Sequence, residues 1–352
     1  MLNAALIGFG GIAQAHKNGY ATLEKLGKVR LVAVCDIRKE AFEKTVEINL
    51  KTENKASVCS FHCYTDVEEM LAKEQIDFVD ICAPSYLHRE IAVKMLERGY
   101  HVLCEKPMAL NSEDCDAMLE AEQKSGKHFM VAQVLRFFPE YEYLKKCIVE
   151  NTYGKPLVAF FNRVSAPATW GWENWFMDYK KAGGCITDLH VHDIDIARYL
   201  FGEPEAVSCR AVDTNSKYDI VQTTLHYKDV LVTAHGAWAS KKTKFSADYR
   251  VDFENATVVL EGGKVTVYPN DETAPFSPEL HGWDGYTDEI DYFCDVVSGK
   301  IKNTRNPASS AAKTIRLIEA MKKSADSQGE FVEICYLYNV IGNELAREEI
   351  VK

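Results

Sequence analysis

The stretch LNAALIGFGGIA, residues 2–13, decides the fold of this chain. A short apolar run leads into the turn Gly8-x-Gly10-x-x-Ala13, and apolar residues at helical spacing follow the turn. The next apolar run along the chain ends in Asp36. A glycine-rich turn between a strand and a helix, followed by an acid at the end of the second strand, is typical of a dinucleotide-binding βαβ unit. The pattern therefore predicts a Rossmann domain in the first part of the chain.

The turn and the acid also predict the cofactor. The glycines let backbone amides approach a pyrophosphate at the N-terminus of a helix. Asp36 can accept hydrogen bonds from the adenosine ribose and would repel a 2′-phosphate, which favours NAD over NADP. Arg38 can turn towards a phosphate, so NADP stays the less favoured alternative. The predicted cofactor-binding residues are Gly8, Gly10, Gly11, Ile12, Ala13, Asp36, Ile37, Arg38, Ala83, Pro84, Ser85, His88, Glu105 and Lys106.

Further outward, strand and helix patterns alternate with short connections to about residue 133, which predicts a parallel sheet covered on both faces. Consecutive alternating runs with hairpin-like breaks then follow, which is typical of an antiparallel sheet. We therefore predict an α/β chain. Residues 1–125 form a doubly wound parallel sheet, and residues 126–352 form an α+β domain with a mostly antiparallel sheet.

Composition and charge exclude several classes of partner. The chain has 352 residues and a formal net charge of −11, which disfavours nucleic acid and anionic membrane surfaces. No apolar run is long enough to cross a bilayer, and no basic segment precedes the first apolar residues, so we expect neither a membrane span nor a signal peptide. The eleven cysteines are scattered, and the close pair Cys59 and Cys63 is not a CxxC motif. This usage predicts a reducing cytoplasm and no structural metal.

Two later motifs carry ionisable groups suited to catalysis. Glu105-Lys106-Pro107 follows a predicted strand, where Lys106 could hydrogen-bond a substrate hydroxyl and stabilise a developing alkoxide. In GGCITDLHVHDIDIARYLFG, residues 183–202, Asp188 and His192 are four positions apart and share one face if a helix begins near Asp188. A histidine beside a carboxylate suits proton transfer from a hydroxyl. The alternatives are a solvated lysine and a helix N-terminus with capping carboxylates.

These motifs together resemble the Gfo/Idh/MocA oxidoreductase family, and the resemblance spans roughly residues 3–335. It implies a Rossmann domain followed by a domain with a large open sheet. It also implies that His192 accepts the proton of the reacting hydroxyl, that Lys106 polarises that hydroxyl, and that Asp188 holds the substrate or orients the histidine. Many members have glycine where this chain has His190. A metal at His190 and His192 is not expected, because the family implies none and alternating positions on a helix do not converge.

Aromatic and basic residues near these motifs predict the substrate. Trp170 and Trp172 precede the histidine stretch, and aromatic faces stack on sugars, although a packed loop or a subunit contact is an equal alternative. Arg136 could bind a carboxylate or phosphate or be a buried structural arginine. His190 could contact substrate or pack beneath the site. We include Arg136, Trp170, Trp172 and His190 as predicted substrate-binding residues.

Together, the motifs and the resemblance predict an NAD-dependent dehydrogenase that acts on a secondary hydroxyl of a sugar, an inositol-like polyol or a glycoside. One alternative is a lyase or hydrolase that oxidises a sugar derivative only transiently. Another is a non-catalytic NAD-binding sensor, although a sensor needs no lysine, aspartate and histidine together. The apolar outer face expected on the open sheet predicts a homodimer or homotetramer formed through that sheet.

Overall fold

The first sheet has the predicted parallel arrangement. A computed structural model describes residues 1–43 and 60–334. All pairs in this sheet are parallel, in the order β3-β2-β1-β4-β5-β6, which is the doubly wound arrangement. Its strands are β1 (Leu2–Ile7), β2 (Val29–Cys35), β3 (His62–Tyr64), β4 (Phe78–Ile81), β5 (His101–Glu105) and β6 (Phe129–Ala132). The short strand β3 was not predicted, because its three residues lack an apolar run.

Helices connect these strands where the sequence predicts them. They are α1 (Gly11–Lys25), α2 (Val67–Lys73), α3 (His88–Glu97) and α4 (Ser112–Ser125). The Asp66 side chain accepts from the Glu69 amide at the start of α2, and Asn111 does the same for Asp114 at α4. Of a helix predicted at residues 39–50, the structure describes only a 3-10 turn at Lys39–Phe42.

The second sheet has eight strands, in the order β13-β12-β11-β7-β10-β9-β8-β14. Every pair is antiparallel except β7 with β10. The strands are β7 (Pro156–Ser165), β8 (Ala206–Val212), β9 (Ile220–His226), β10 (Leu231–Trp238), β11 (Ser246–Phe253), β12 (Ala256–Glu261), β13 (Lys264–Pro269) and β14 (Val332–Glu333). The remaining helices are α5 (Pro139–Val149), α6 (Tyr179–Ala182), α7 (Cys185–Asp188), α8 (Val191–Phe201), α9 (Gly285–Val297) and α10 (Ala308–Asp326).

Two elements beyond residue 125, the predicted limit of the first domain, pack with the first sheet. Strand β6 pairs with β5 as the last strand of that sheet. Helix α9 also returns to it: Ile290 and Phe293 lie in the core beneath β1 and β4, and the Phe293 ring meets the Phe78 ring edge-on at 5.2 Å between centroids. Periodicity places α9 along the chain, but the partner of its apolar face is decided by long-range packing.

Some predicted features cannot be compared with this structure. The sequence pattern also predicts a terminal helix at residues 336–350, and this segment and Cys59 of the close cysteine pair lie outside the described residues. Within residues 1–43 and 60–334, no helix has both the length and the apolar character that a membrane span requires.

Candidate active site

The glycine turn at the end of β1 forms a cradle at the start of α1. Gly8 has φ +91°, and a Cβ at this position would approach the Ala83 amide nitrogen to 2.7 Å, so only glycine fits between the ends of β1 and β4. A Cβ on Gly10 would meet nothing within 4 Å, and no side chain caps the helix there. The start of the 15-residue helix α1 therefore has no side-chain cap and has space beside Gly10, an arrangement that suits a bound pyrophosphate.

Asp36 lies beside this cradle and is almost fully buried. Its carboxylate accepts the Phe9 amide at 2.8 Å and the Arg38 amide at 2.9 Å, and the Nε and Nη2 atoms of Arg38 each approach it to 2.9 Å. Burial opposes ionisation, but the hydrogen bonds from Arg38 and Phe9 prevail and lower the pKa of Asp36. The group is therefore an anion at neutral pH, with the Arg38 side chain turned towards it.

The tryptophans predicted to stack on a sugar lie near the part of the cradle that contains Asp36. Trp172 is 39% exposed, and the Arg38 guanidinium lies 5.7 Å from the centroid of its ring. Trp170 packs against Phe176, with centroids 4.7 Å apart, and Trp175 is buried near the ring of Tyr86. Trp172 therefore adjoins the acid expected to hold the adenosine ribose, a placement that does not support its predicted role as a sugar wall.

Lys106 and Asp188 meet across the two domains. Lys106 follows β5, Asp188 ends α7, and the lysine Nζ donates to the Asp188 carbonyl oxygen at 2.9 Å and to its carboxylate at 3.3 Å. The side chains are 17% and 11% exposed, so the pair is mostly shielded from water yet open on one side. The arrangement holds an ammonium group where a ligand can reach it.

The histidine stretch does not form the single helix that was expected from Asp188. Helix α7 ends at Asp188 and α8 begins at Val191. The paired glycines allow the sharp entry, because Gly183 and Gly184 have φ of +77° and +76°, and a Cβ on Gly184 would lie 2.1 Å from the Lys217 carbonyl oxygen. Asp188 and His192 therefore lie on two different helices joined by a turn, and they do not share the face of one helix.

The environment of His192 favours a neutral imidazole. Its Nδ1 is buried and has no hydrogen-bond partner among the described residues. Burial, and then the positive charges of Lys106 and Arg163, hold the pKa of His192 well below its usual value. The imidazole is consequently neutral at pH 7 and can accept a proton.

His190 is fully buried beneath the second sheet. Its Nε2 lies 3.1 Å from Thr223 Oγ1, and its ring fills the space over Gly236, where a Cβ would come within 2.6 Å of Nδ1. Burial, with a smaller contribution from His235, lowers the pKa of His190 to about 3. This packing role was one of the two readings left open, and the placement does not support substrate contact.

Arg136 is also structural in its placement. It is 2% exposed, and its Nε and Nη2 atoms donate to the Asp195 carboxylate at 2.8 and 2.7 Å. Its Nη atoms also donate to the Arg305 carbonyl oxygen and the Ser310 hydroxyl, and its guanidinium lies 5.1 Å from the centroid of the Tyr199 ring. The side chain holds α8 in the core rather than facing a ligand.

His88 and Glu105, two of the predicted cofactor-binding residues, are both buried. The ring nitrogens of His88 lie 2.8 Å from the Pro107 carbonyl oxygen and 2.9 Å from that of Ala83, so the histidine ties together the loops after β4 and β5. The Glu105 carboxylate is buried and faces His16 at 2.9 Å, a contact that periodicity did not indicate. Among the other predicted residues, Ser85 is buried and Ile37 is exposed.

Comparison with known proteins now identifies the family. Residues 2–133 match the oxidoreductase family with an NAD-binding Rossmann fold, Gfo/Idh/MocA, and residues 141–264 match the C-terminal domain of that family. The chain belongs to the Gfo/Idh/MocA oxidoreductase family. The predicted resemblance is confirmed, and so is the predicted combination of a Rossmann sheet with a second, mostly antiparallel sheet.

Relatives within the Gfo/Idh/MocA family have several activities. A 2,7-anhydro-N-acetylneuraminate hydratase of Mediterraneibacter gnavus is 35% identical over 151 residues, which cover 41% of this chain and 38% of the hydratase. The matched stretch is thus less than half of that relative. An inositol 2-dehydrogenase of Rhizobium meliloti is 28% identical over 298 residues, covering 80% of this chain and 79% of the dehydrogenase.

Solved structures of the family share the whole fold. Levoglucosan dehydrogenase in complex with NADH and L-sorbose superposes with a TM-score of 0.80 at 20% identity, covering 95% of this chain and 99% of that one. At this identity the similarity establishes the architecture alone.

Proposed function

We propose that the protein is an NAD-dependent oxidoreductase that transfers a hydride between nicotinamide and a secondary hydroxyl or ketone of a sugar, polyol or glycoside. The observation that supports this most directly is the contact of the Lys106 Nζ with Asp188, after strand β5, with His192 close enough for the Lys106 charge to lower its pKa. Parallel-sheet domains of this class bind their ligands at that edge of the sheet. The dehydrogenases of inositol and levoglucosan among the relatives support the substrate class.

The residues present fit the cofactor. The open space at Gly10 suits a pyrophosphate, and the anionic Asp36 suits ribose hydroxyls. NAD, when bound, accepts a hydride from carbon. We favour NAD over NADP because Asp36 is ionised and would repel a 2′-phosphate.

His192, Lys106 and Asp188 have separate roles in the transfer of the hydroxyl proton. The neutral His192 imidazole removes the proton of the reacting hydroxyl. The Lys106 ammonium donates to the same oxygen and stabilises the negative charge that develops on it. Asp188 orients the lysine by accepting from Nζ with its carbonyl and carboxylate oxygens. Reduction of a ketone uses the same groups in the reverse order.

A second candidate is a hydratase or lyase that oxidises its sugar only transiently. The 35% and 32% identical relatives from Mediterraneibacter gnavus and Escherichia coli, both named 2,7-anhydro-N-acetylneuraminate hydratase, favour it. The proton-transfer residues would be the same, but no net NADH would accumulate.

One assay separates the two candidates. Purified protein is mixed with NAD, and in parallel with NADP, and a panel of inositols, aldoses, uronic acids, glycosides and 2,7-anhydro-N-acetylneuraminate. Growth of the reduced-nicotinamide absorbance supports the dehydrogenase. Substrate consumption without that absorbance supports transient oxidation, and NAD binding without any turnover contradicts both and favours a sensor.

We further propose that the protein forms a homodimer or homotetramer through the second sheet and works in the cytoplasm. The outer face of this sheet carries Phe160 and Tyr268, each 46% exposed, and Leu231 at 70%. All the cysteines in residues 1–43 and 60–334 are free, as expected in a reducing compartment. Native mass spectrometry of wild type and Phe160→Glu tests the interface. A wild-type monomer, or an unchanged assembly in the variant, would contradict it.

A further inference from the structure

A buried ionic cluster lies directly behind the lysine motif. His16 on α1 is fully buried, with Nδ1 2.8 Å from the Asp80 carboxylate and Nε2 2.9 Å from the Glu105 carboxylate. The Tyr20 hydroxyl donates to the same oxygen of Asp80 at 2.8 Å. The two acids lie on neighbouring strands, β4 and β5, and would repel each other without a cation between them.

The imidazole of His16 supplies that cation. Burial is the largest single effect and opposes protonation of His16, but the charge and hydrogen bond of Asp80, together with Cys82, raise its pKa well above the usual value. Both ring nitrogens face carboxylate oxygens, so an imidazolium can donate to each of them. Donor atoms of His16, Asp80 and Cys82 all lie within 4.8 Å of one another, which outlines a cation site, and the imidazolium already occupies the bridging position.

Helix α9 places one more carboxyl group, that of Glu289, near this cluster. Glu289 is fully buried, and neither of its carboxyl oxygens has a hydrogen-bond partner among the described residues. Burial, followed by the nearby Glu105, raises the pKa of Glu289 well above its usual value and so favours its protonated form. The protonated form adds no further negative charge to the cluster.

Glu105 connects this cluster to Lys106. One oxygen of its carboxylate faces His16, and the other accepts the backbone amide of Lys106 at 3.0 Å. Lys106 in turn directs Nζ to Asp188. We propose that His16 is a positioning residue, which holds Glu105 so that the Lys106 ammonium stays against Asp188 in the active site. An effect of His16 on catalysis rests on the proposed function, but its effect on the position of Lys106 does not.

The test measures Lys106 directly and needs no substrate. Full-length wild type, His16→Gln and Tyr20→Phe are labelled with trace acetic anhydride at pH 8, and mass spectrometry compares acetylation of Lys106 with that of the exposed Lys180. A glutamine cannot donate to both carboxylates, so Lys106 should leave Asp188 and acetylate several-fold faster. Tyr20→Phe removes a hydrogen bond to the same Asp80 oxygen but keeps the His16 bridge, so it should leave Lys106 labelling unchanged.

Unchanged Lys106 labelling in folded His16→Gln, or an equal rise in Tyr20→Phe, would overturn the proposal. If His16→Gln does not fold, Glu105→Asp decides, because it keeps the charge but shortens the reach to His16 and to the Lys106 amide. It should also raise Lys106 labelling, and no change would overturn the proposal. Where the assay above finds turnover, kcat of His16→Gln should fall about 10- to 100-fold with the Kd of NAD unchanged. Absence of turnover in wild type would contradict the proposed function and leave the labelling result standing on its own.

Discussion

The guanidinium of Arg38, at the end of the second strand of the Rossmann sheet, lies 5.7 Å from the ring centroid of Trp172, which belongs to the second half of the chain. The same guanidinium pairs with Asp36 through two hydrogen bonds of 2.9 Å. One arginine therefore contacts both the acid expected at the adenosine ribose and an aromatic side chain from the second half of the chain. We expect this contact to couple NAD binding to the position of Trp172.

Trp172→Ala should weaken NAD binding rather than substrate binding. Loss of a partly exposed cation–π contact of about 0.5–1 kcal/mol should raise the Kd of NAD about threefold. Isothermal titration calorimetry with NAD checks this, and Trp170→Ala, which leaves Arg38 untouched, is the matched control. A raised KM for the sugar with an unchanged Kd for NAD would instead support the prediction that Trp172 stacks on the sugar.

Asp36→Ser should relax the preference for NAD. The substitution removes a charge that repels a 2′-phosphate and frees Arg38 to bind it, so the ratio of kcat/KM for NADP to that for NAD should rise about tenfold or more. Steady-state kinetics with both cofactors measure the ratio. Adding Arg38→Ala to Asp36→Ser should remove much of the gain, and an unchanged ratio in the single variant would discard the argument from Asp36.

Lys106→Ala and His192→Ala should each abolish most turnover without releasing the cofactor. Each variant removes a group that acts on the reacting hydroxyl, and such groups contribute about 10²- to 10⁴-fold to the rate. Measured kcat should fall by that range while the Kd of NAD changes little. Lys180→Ala, an exposed lysine on α6, is the control and should behave as wild type. Activity that survives in both active-site variants would rule out the assigned roles.

The pH dependence of oxidation should follow His192. Its pKa is lowered by burial and by Lys106, so the imidazole remains neutral below its ordinary pKa of 6.5. A base must be neutral to accept a proton, and kcat/KM for the alcohol should therefore keep its plateau as the pH falls through 6.5. A pH–rate profile between pH 5 and 9 tests this. An acidic limb centred at or above 6.5 would mean that another group, or an unshifted His192, is the base.

Glu122 on α4 should make stability fall as the pH rises. Burial raises its pKa from 4.5 to about 7, against a hydrogen bond from the Phe129 amide at 3.1 Å. The folded state therefore favours the protonated form, and stability is lost as the pH climbs from 4.5 to about 7. Glu122→Gln keeps the acceptor without the charge, so its Tm should exceed that of wild type at pH 8 and approach it near pH 4.5.

Thermal denaturation at both pH values gives the comparison for Glu122. The exposed Glu120, paired with Lys124 on the same helix, supplies the control, and Glu120→Gln should change Tm little at either pH. An equal shift of Tm for Glu122→Gln at both pH values would show that ionisation is not the cause.

Local pattern was sufficient for much of this protein. At Gly8 the positive φ and the close Ala83 backbone admit only glycine, and at Gly10 the absence of a side chain keeps the space beside the helix open, so the motif itself predicts the cradle. Alternating and helical periodicity predicted the strands of both sheets except β3, and most helices, because burial of one face imposes those periods along the chain. Lys106, Asp188 and His192 were chosen on their motifs, and the structure places the Lys106 Nζ against Asp188, while the catalytic roles of all three stay predictions.

What each polar side chain faces was decided by the tertiary structure. Arg136 and His190 were expected at the substrate, but Asp195 and the second sheet enclose them, and nothing local distinguishes a buried pair from a binding group. The Lys106–Asp188 contact joins residues in different domains, and the His16 cluster joins a helix to two strands. Sequence periodicity reports which face of an element is buried, because that depends on the element alone. It cannot report the partner of that face, because the partner is set by packing between segments far apart in the chain.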